Sequence, residues 1–88
     1  MRVTAELSLY PLEADYIPRI ERAIAALRST AGVEIVVNQM STQLRGELPA
    51  VMSAIEALMT ETFADGAPQS LVAKILNADL PIGEPPAV

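Results

Sequence analysis

Two strand–helix–strand segments follow one another in this chain, divided near Asn38-Gln39, and that repetition restricts the fold more tightly than any single motif. In the first segment Val3, Ala5, Leu7 and Leu9 alternate with Thr4, Glu6, Ser8 and Tyr10, the period-two pattern of a half-buried strand, until Pro11 stops it. Ile17, Ile20, Ile24 and Leu27 then recur at helical spacing and predict a helix over about residues 16–30 with one apolar stripe. Asp15 is its expected N-cap, Pro18 is tolerated in its first turn, and Gly32 can close it in the left-handed conformation. Arg19, Arg22 and Arg28 fall on the reverse side and read as a solvated face. The β-branched run Val33–Val37 completes the segment as a central or doubly covered strand.

The second segment repeats the layout. Met40 to Arg45 reads as a returning strand broken by Gly46. A helix opening with Pro49 carries Leu48, Val51, Met52, Ile55, Leu58 and Phe63 and ends at Asp65-Gly66, and Leu71–Leu76 is the last strand. Strand, helix, strand, strand, helix, strand is the split βαβ pattern, and right-handed crossovers put both helices on one side. The expectation is therefore a ferredoxin-like α+β fold with a four-stranded antiparallel sheet, a domain over residues 1–80, and an irregular Pro-rich tail over 81–88. The second sheet face is left open, with Glu6, Ser8 and Tyr10 along it and Val36 among them. Apolar area on that face and the short chain predict a homodimer or homotetramer formed through sheet faces.

Composition removes most chemistries. The chain has no cysteine and no histidine, so thiolate nucleophiles, imidazole bases and the usual zinc and haem ligands are all missing. No pair of its remaining acids and bases has the spacing of an acid–base couple on one element, so a non-catalytic protein without cofactor or metal is expected. Six basic against eleven acidic residues give a net charge of −5, the wrong sign for nucleic acid or anionic lipid. With no apolar run of about 18 residues and an interrupted N-terminal pattern, no membrane insertion and a cytoplasmic location are expected.

The remaining motif is Met40-Ser41-Thr42-Gln43-Leu44-Arg45-Gly46, small hydroxyls followed by Arg-Gly at a strand exit. Together with Ser8-Leu9-Tyr10-Pro11-Leu12 and the helix opening near Asp15-Tyr16, it resembles the YkoF-like thiamine- and hydroxymethylpyrimidine-binding proteins over about residues 5–80. That resemblance implies ferredoxin-like domains, a ligand that is thiamine or its hydroxymethylpyrimidine moiety, and pyrimidine contacts at Ser8, Ser41 and Thr42, with Arg45 as a further contact. The namesake type carries two such repeats, so a single-repeat chain implies a homo-oligomer in their place. For such a ligand Glu6 can accept from the amino group or balance the thiazolium, Tyr10 can offer its ring to the cation, and Asn38 can both donate and accept. Ligand contact is thus expected where two protomers close polar strand faces, in a binder that serves thiamine uptake or salvage beside a transporter or salvage enzyme. The competing expectation is a structural or regulatory module that oligomerises through its open sheet without a ligand.

Overall fold

The computed structural model describes residues 1–87. Its elements run β1 (Arg2–Pro11), α1 (Ile17–Arg28), β2 (Val33–Val37), β3 (Thr42–Glu47), α2 (Leu48–Phe63) and β4 (Gln69–Leu76). The strands form one sheet in the order β2-β3-β1-β4, and every neighbouring pair is antiparallel. This is the ferredoxin-like arrangement the segment order predicts.

Alternation along β1 decides where the core lies. Val3, Ala5 and Leu7 are buried, and the register Ala5↔Leu44 sets the fully buried Leu44 of β3 on the same face. Ala23 and Leu27 of α1 and Val51, Ala54, Ile55 and Leu58 of α2 close over them. Each of the larger aliphatic side chains stabilises the fold by about 1.5–3 kcal/mol through burial, so this cluster accounts for much of what holds so small a domain together.

Three local readings of the sequence are corrected. Asp15 does not cap α1: the N-cap is Tyr16, with no side-chain cap, and its carbonyl takes the Ile20 amide at 3.1 Å. Arg19 is not solvated but 6% exposed, while Ile17 of the expected stripe is 57% exposed. The helix is turned because the Arg19 guanidinium finds three acceptors: the carboxylates of Glu13 at 2.6 Å and Asp65 at 2.7 Å, which keep their outer sides in solvent, and the buried Thr62 carbonyl at 2.7 Å. A charge held by that many acceptors outcompetes a short aliphatic stripe for the inside position.

Gly46 likewise does not break its strand. It pairs with Val3 on one side and Val33 on the other, and a Cβ there would stand 2.7 Å from the Gly32 carbonyl oxygen. The missing side chain is what lets the two strands and the α1–β2 connection meet.

The second sheet face is not wholly open. Beyond β4 the chain turns back across it, and Thr4 Oγ1 donates to the Ala78 carbonyl at 2.8 Å and accepts from the Leu80 amide at 2.9 Å. Arg45 donates to Asp79 at 2.7 Å, and Ile82 is buried. Gly83 lies against Val36, its φ of +83° being one that a side chain would strain. Residues 78–83 thus form a strap over the sheet, and Arg45 is one of its anchors. The hydrogen bond from Arg45, and secondarily the charge of Arg2, hold the Asp79 carboxyl below its ordinary value of 3.8. A depressed carboxyl contributes stability that is complete above its ordinary value and is lost as pH falls through the lower folded value. The protection of the Leu80 amide, measured against its intrinsic exchange rate at each pH, should therefore fall as pH drops below 3.8, before protection in the β1–β3 ladder does. Simultaneous loss of protection in both would show that the strap is not held by this ion pair.

Candidate functional site

A cavity of about 490 Å³ opens between α1, the end of β1 and the β2–β3 connection. Its floor is the core itself, through Leu7, Leu27 and Leu58, and its helical wall is Ile20 and Ile24. These two isoleucines are the part of the α1 stripe that the buried Arg19 displaces from the core, so the turn of the helix creates the wall. Leu12, Tyr16 and Met40 stand at the mouth. A furrow of about 590 Å³ between the outer sides of α1 and α2 is larger, but it is shallow and bounded by solvated side chains such as Arg22, Ser53 and Glu56.

Of the residues singled out from the sequence, Ser8, Tyr10, Asn38, Ser41 and Thr42 line the cavity. They arrive by three routes: Ser8 and Tyr10 from the end of β1, Asn38 and Ser41 from a connection that the Asn38 amide closes onto the Ser41 carbonyl at 2.8 Å, and Thr42 from the start of β3. Thr42 pairs with Leu7 and Val37, which puts it on the helix side of the sheet, whereas Gln43 pairs with Glu6 on the opposite side. The hollow these residues share therefore lies within one chain, on the helix side, and not between the polar faces of two sheets. Hydroxyls at 41 and 42 point to opposite sides, as successive residues of extended chain do, and Ser41 Oγ reaches Glu6.

Glu6 and Arg45 do not line it. Arg45 is committed to the strap and to Glu34, at 3.5 Å. Glu6 accepts from Lys74 Nζ at 2.8 Å and from Ser41 Oγ at 3.2 Å, and these hydrogen bonds, Lys74 first, pull its carboxyl below the ordinary 4.5. An ionised carboxylate can only accept, so the proton in the Ser41–Glu6 bond belongs to Ser41. The Ser41 oxygen is left with lone pairs to offer. Glu6 thus touches the site through Ser41 and not directly.

The residues missed from sequence are the apolar walls and Arg19. Arg19 holds Glu13, which lies in the loop carrying Leu12 and Tyr16 to the mouth, and the Leu12 amide is tied to the Pro68 carbonyl at 3.2 Å. Hydrogen bonds from Glu13 and then Asp65 raise the guanidinium well above its ordinary value, so it stays charged at any working pH. No local sequence signal links residues 13, 19 and 65; only the fold does. Among the described residues no cluster of three or more acidic, His or Cys side chains could hold a metal ion, and no helix is long and apolar enough to cross a membrane.

A family model described as the YKOF-related family matches residues 2–85. The chain belongs to that family. Its fold is shared with solved structures of low sequence identity. The hypothetical protein MJ1052 from Methanocaldococcus jannascii superposes with a TM-score of 0.77 at 22% identity, over 89% of this chain and 81% of that one. A DUF77 domain of unknown function from Bacillus cereus gives 0.76 at 21%, over 93% and 84%. A candidate thiamine biosynthesis or salvage protein, TM0486 from Thermotoga maritima, gives 0.71 at 23%, over 99% and 91%. No curated protein matches this member of the YKOF-related family.

Proposed function

We propose that this YKOF-related protein is a non-catalytic binder of thiamine or of its hydroxymethylpyrimidine moiety, and that it acts in thiamine uptake or salvage. The observation that carries the reading is the convergence of Ser8, Ser41 and Thr42 on one cavity whose other walls, the amides Asn38 and Gln39 apart, are apolar or aromatic. An aminopyrimidine needs a flat apolar slot with a few donors and acceptors at its edges, and this lining supplies both. Family membership and the name given to the Thermotoga protein point the same way. Calorimetry with thiamine and with hydroxymethylpyrimidine tests it, and absence of heat with both at millimolar concentration would remove it.

Thr42→Val is nearly isosteric and leaves the β-strand pairing of Thr42 with Leu7 and Val37 intact. It should weaken ligand binding by about 0.5–1.5 kcal/mol while shifting the unfolding midpoint little. Equal affinity in the variant would make that hydroxyl irrelevant to recognition.

Self-association enters the reading through β4. It is an edge strand with Val72, Ile75 and Leu76 each close to half exposed, one on the helix side of the pleat and two on the other. An apolar edge with unpaired backbone groups is a template for another strand, and a second copy of the chain is the simplest cover. Light scattering should then give a dimer or tetramer, and Ile75→Lys should shift it toward the monomer; a monomeric parent at high concentration would contradict this.

A further inference from the structure

We propose that Arg19 is a positioning residue for the cavity, and that its grip on Glu13 sets how long a bound guest stays. This rests on the reading of the hollow as a binding site and assigns the control of its mouth.

Arg19 does not itself line the cavity. Its guanidinium makes a fork to each of two carboxylates: Nε and Nη2 donate to Glu13 at 2.6 and 3.5 Å, and Nη1 and Nη2 to Asp65 at 3.3 and 2.7 Å. Nη1 also donates to the carbonyl of the fully buried Thr62 at 2.7 Å. A planar group engaged by three acceptors on three segments has little freedom to swing, so Arg19 is a fixed post.

What it fixes is the connection between β1 and α1. Residues 12–16 belong to neither strand nor helix, and two ties hold them down: the Leu12 amide on the Pro68 carbonyl at 3.2 Å, and Glu13 on Arg19. Leu12 and Tyr16 leave this connection at the mouth, where they line the cavity and yet are 66% and 52% exposed. Met40 stands exposed on the same rim. Apolar side chains standing in water around an apolar hollow lose area from water when they fold over something inside it. Leu12 can cover a guest only while its stretch of chain is held at the rim, and the neighbouring Glu13 is the side chain that holds it. Such a cover acts on departure more than on entry, because a guest arrives at an uncovered mouth.

Stopped-flow binding of hydroxymethylpyrimidine to the full chain tests the proposal, with tyrosine fluorescence as the signal, since both tyrosines of the chain line the cavity. Glu13→Ala removes the tie and leaves Arg19 bonded to Thr62 and Asp65. It should raise the dissociation rate roughly fivefold or more and change the association rate by less than about twofold. Glu13→Gln, which keeps the size of the side chain and one acceptor oxygen, should shift the dissociation rate the same way by less. Asp15 lies in the same connection but is exposed and caps nothing, so Asp15→Ala should leave both rates within about twofold of the parent. Leu12→Ala should itself speed dissociation, and in that background Glu13→Ala should lose roughly half or more of its effect, a coupling that a merely structural role would not produce. An unchanged dissociation rate in Glu13→Ala overturns the inference and leaves the proposed function standing. Effects of Glu13→Ala and Leu12→Ala that add in full do the same, since the tie would then not act through the side chain at the mouth. Failure of the parent chain to bind removes the proposed function, and this inference with it.

Discussion

Gly46→Ala is expected to lower the unfolding free energy by about 1–3 kcal/mol, the range seen when one extra carbon is forced into a packed site. The added Cβ would lie 2.7 Å from the Gly32 carbonyl oxygen and 3.6 Å from both Val33 Cα and Val51 Cγ2. The first of these is a backbone atom and cannot swing aside as the end of a side chain would. Gly32 has a φ of +82°, which pins the α1–β2 connection in a left-handed turn, so relief has to come from separating β2 from β3 at the Val33↔Gly46 pair. For a domain whose whole stability is of the order of 5–15 kcal/mol, that is a large share. Urea unfolding should show a lower midpoint with an unchanged slope. An unchanged midpoint would mean that the Gly32 carbonyl is free to move, and that β3 tolerates a side chain here.

Leu27→Ala is expected to cost more, about 2–5 kcal/mol, because the residue is 1% exposed and the space it leaves lies between helix and sheet where little can collapse inward. Its second effect bears on function. Leu27 is both core and cavity floor, so truncation deepens the hollow by joining a void to it. Affinity for hydroxymethylpyrimidine should fall with stability, since the ring loses the surface it rests on. Ala54, equally buried but absent from the cavity lining, supplies the contrast: Ala54→Gly should lower stability by roughly 1 kcal/mol and leave affinity alone in the protein that remains folded. A Leu27→Ala chain that binds as tightly as the parent would detach the floor from the site.

The fold was legible in the sequence because two periodicities state it directly. Val3, Ala5, Leu7 and Leu9 against Thr4, Glu6, Ser8 and Tyr10 fix the faces of β1, and the duplicated strand–helix–strand order fixes the topology. Less legible was anything that depends on a contact between distant residues. Arg19 reads as exposed until Glu13, Thr62 and Asp65 are brought around it, and that one burial rotates α1 so that Ile20 and Ile24 face the cavity. Pro81, Gly83, Pro85 and Pro86 predict irregular backbone correctly, but nothing local announces that Asp79 will reach Arg45 or that Ile82 will be buried. Period two also assigns Glu6 and Ser8 to one strand face, and Ser8 nevertheless reaches the cavity, where the pleat ends beside the β2–β3 connection. Ser41 and Thr42 were legible as a hydroxyl pair, while the side on which each sits depends on the register of β3 with its neighbours.

The most direct test of the central claim, that the hollow on the helix side of the sheet is the binding site, is a chemical-shift titration of the isotopically labelled chain with hydroxymethylpyrimidine. Perturbations are expected to concentrate in residues 8–12, 16–24 and 38–42, with the strap and the outer face of β4 unmoved. Shifts confined to Gln43, Val72 and Lys74, on the other side of the sheet, would contradict it.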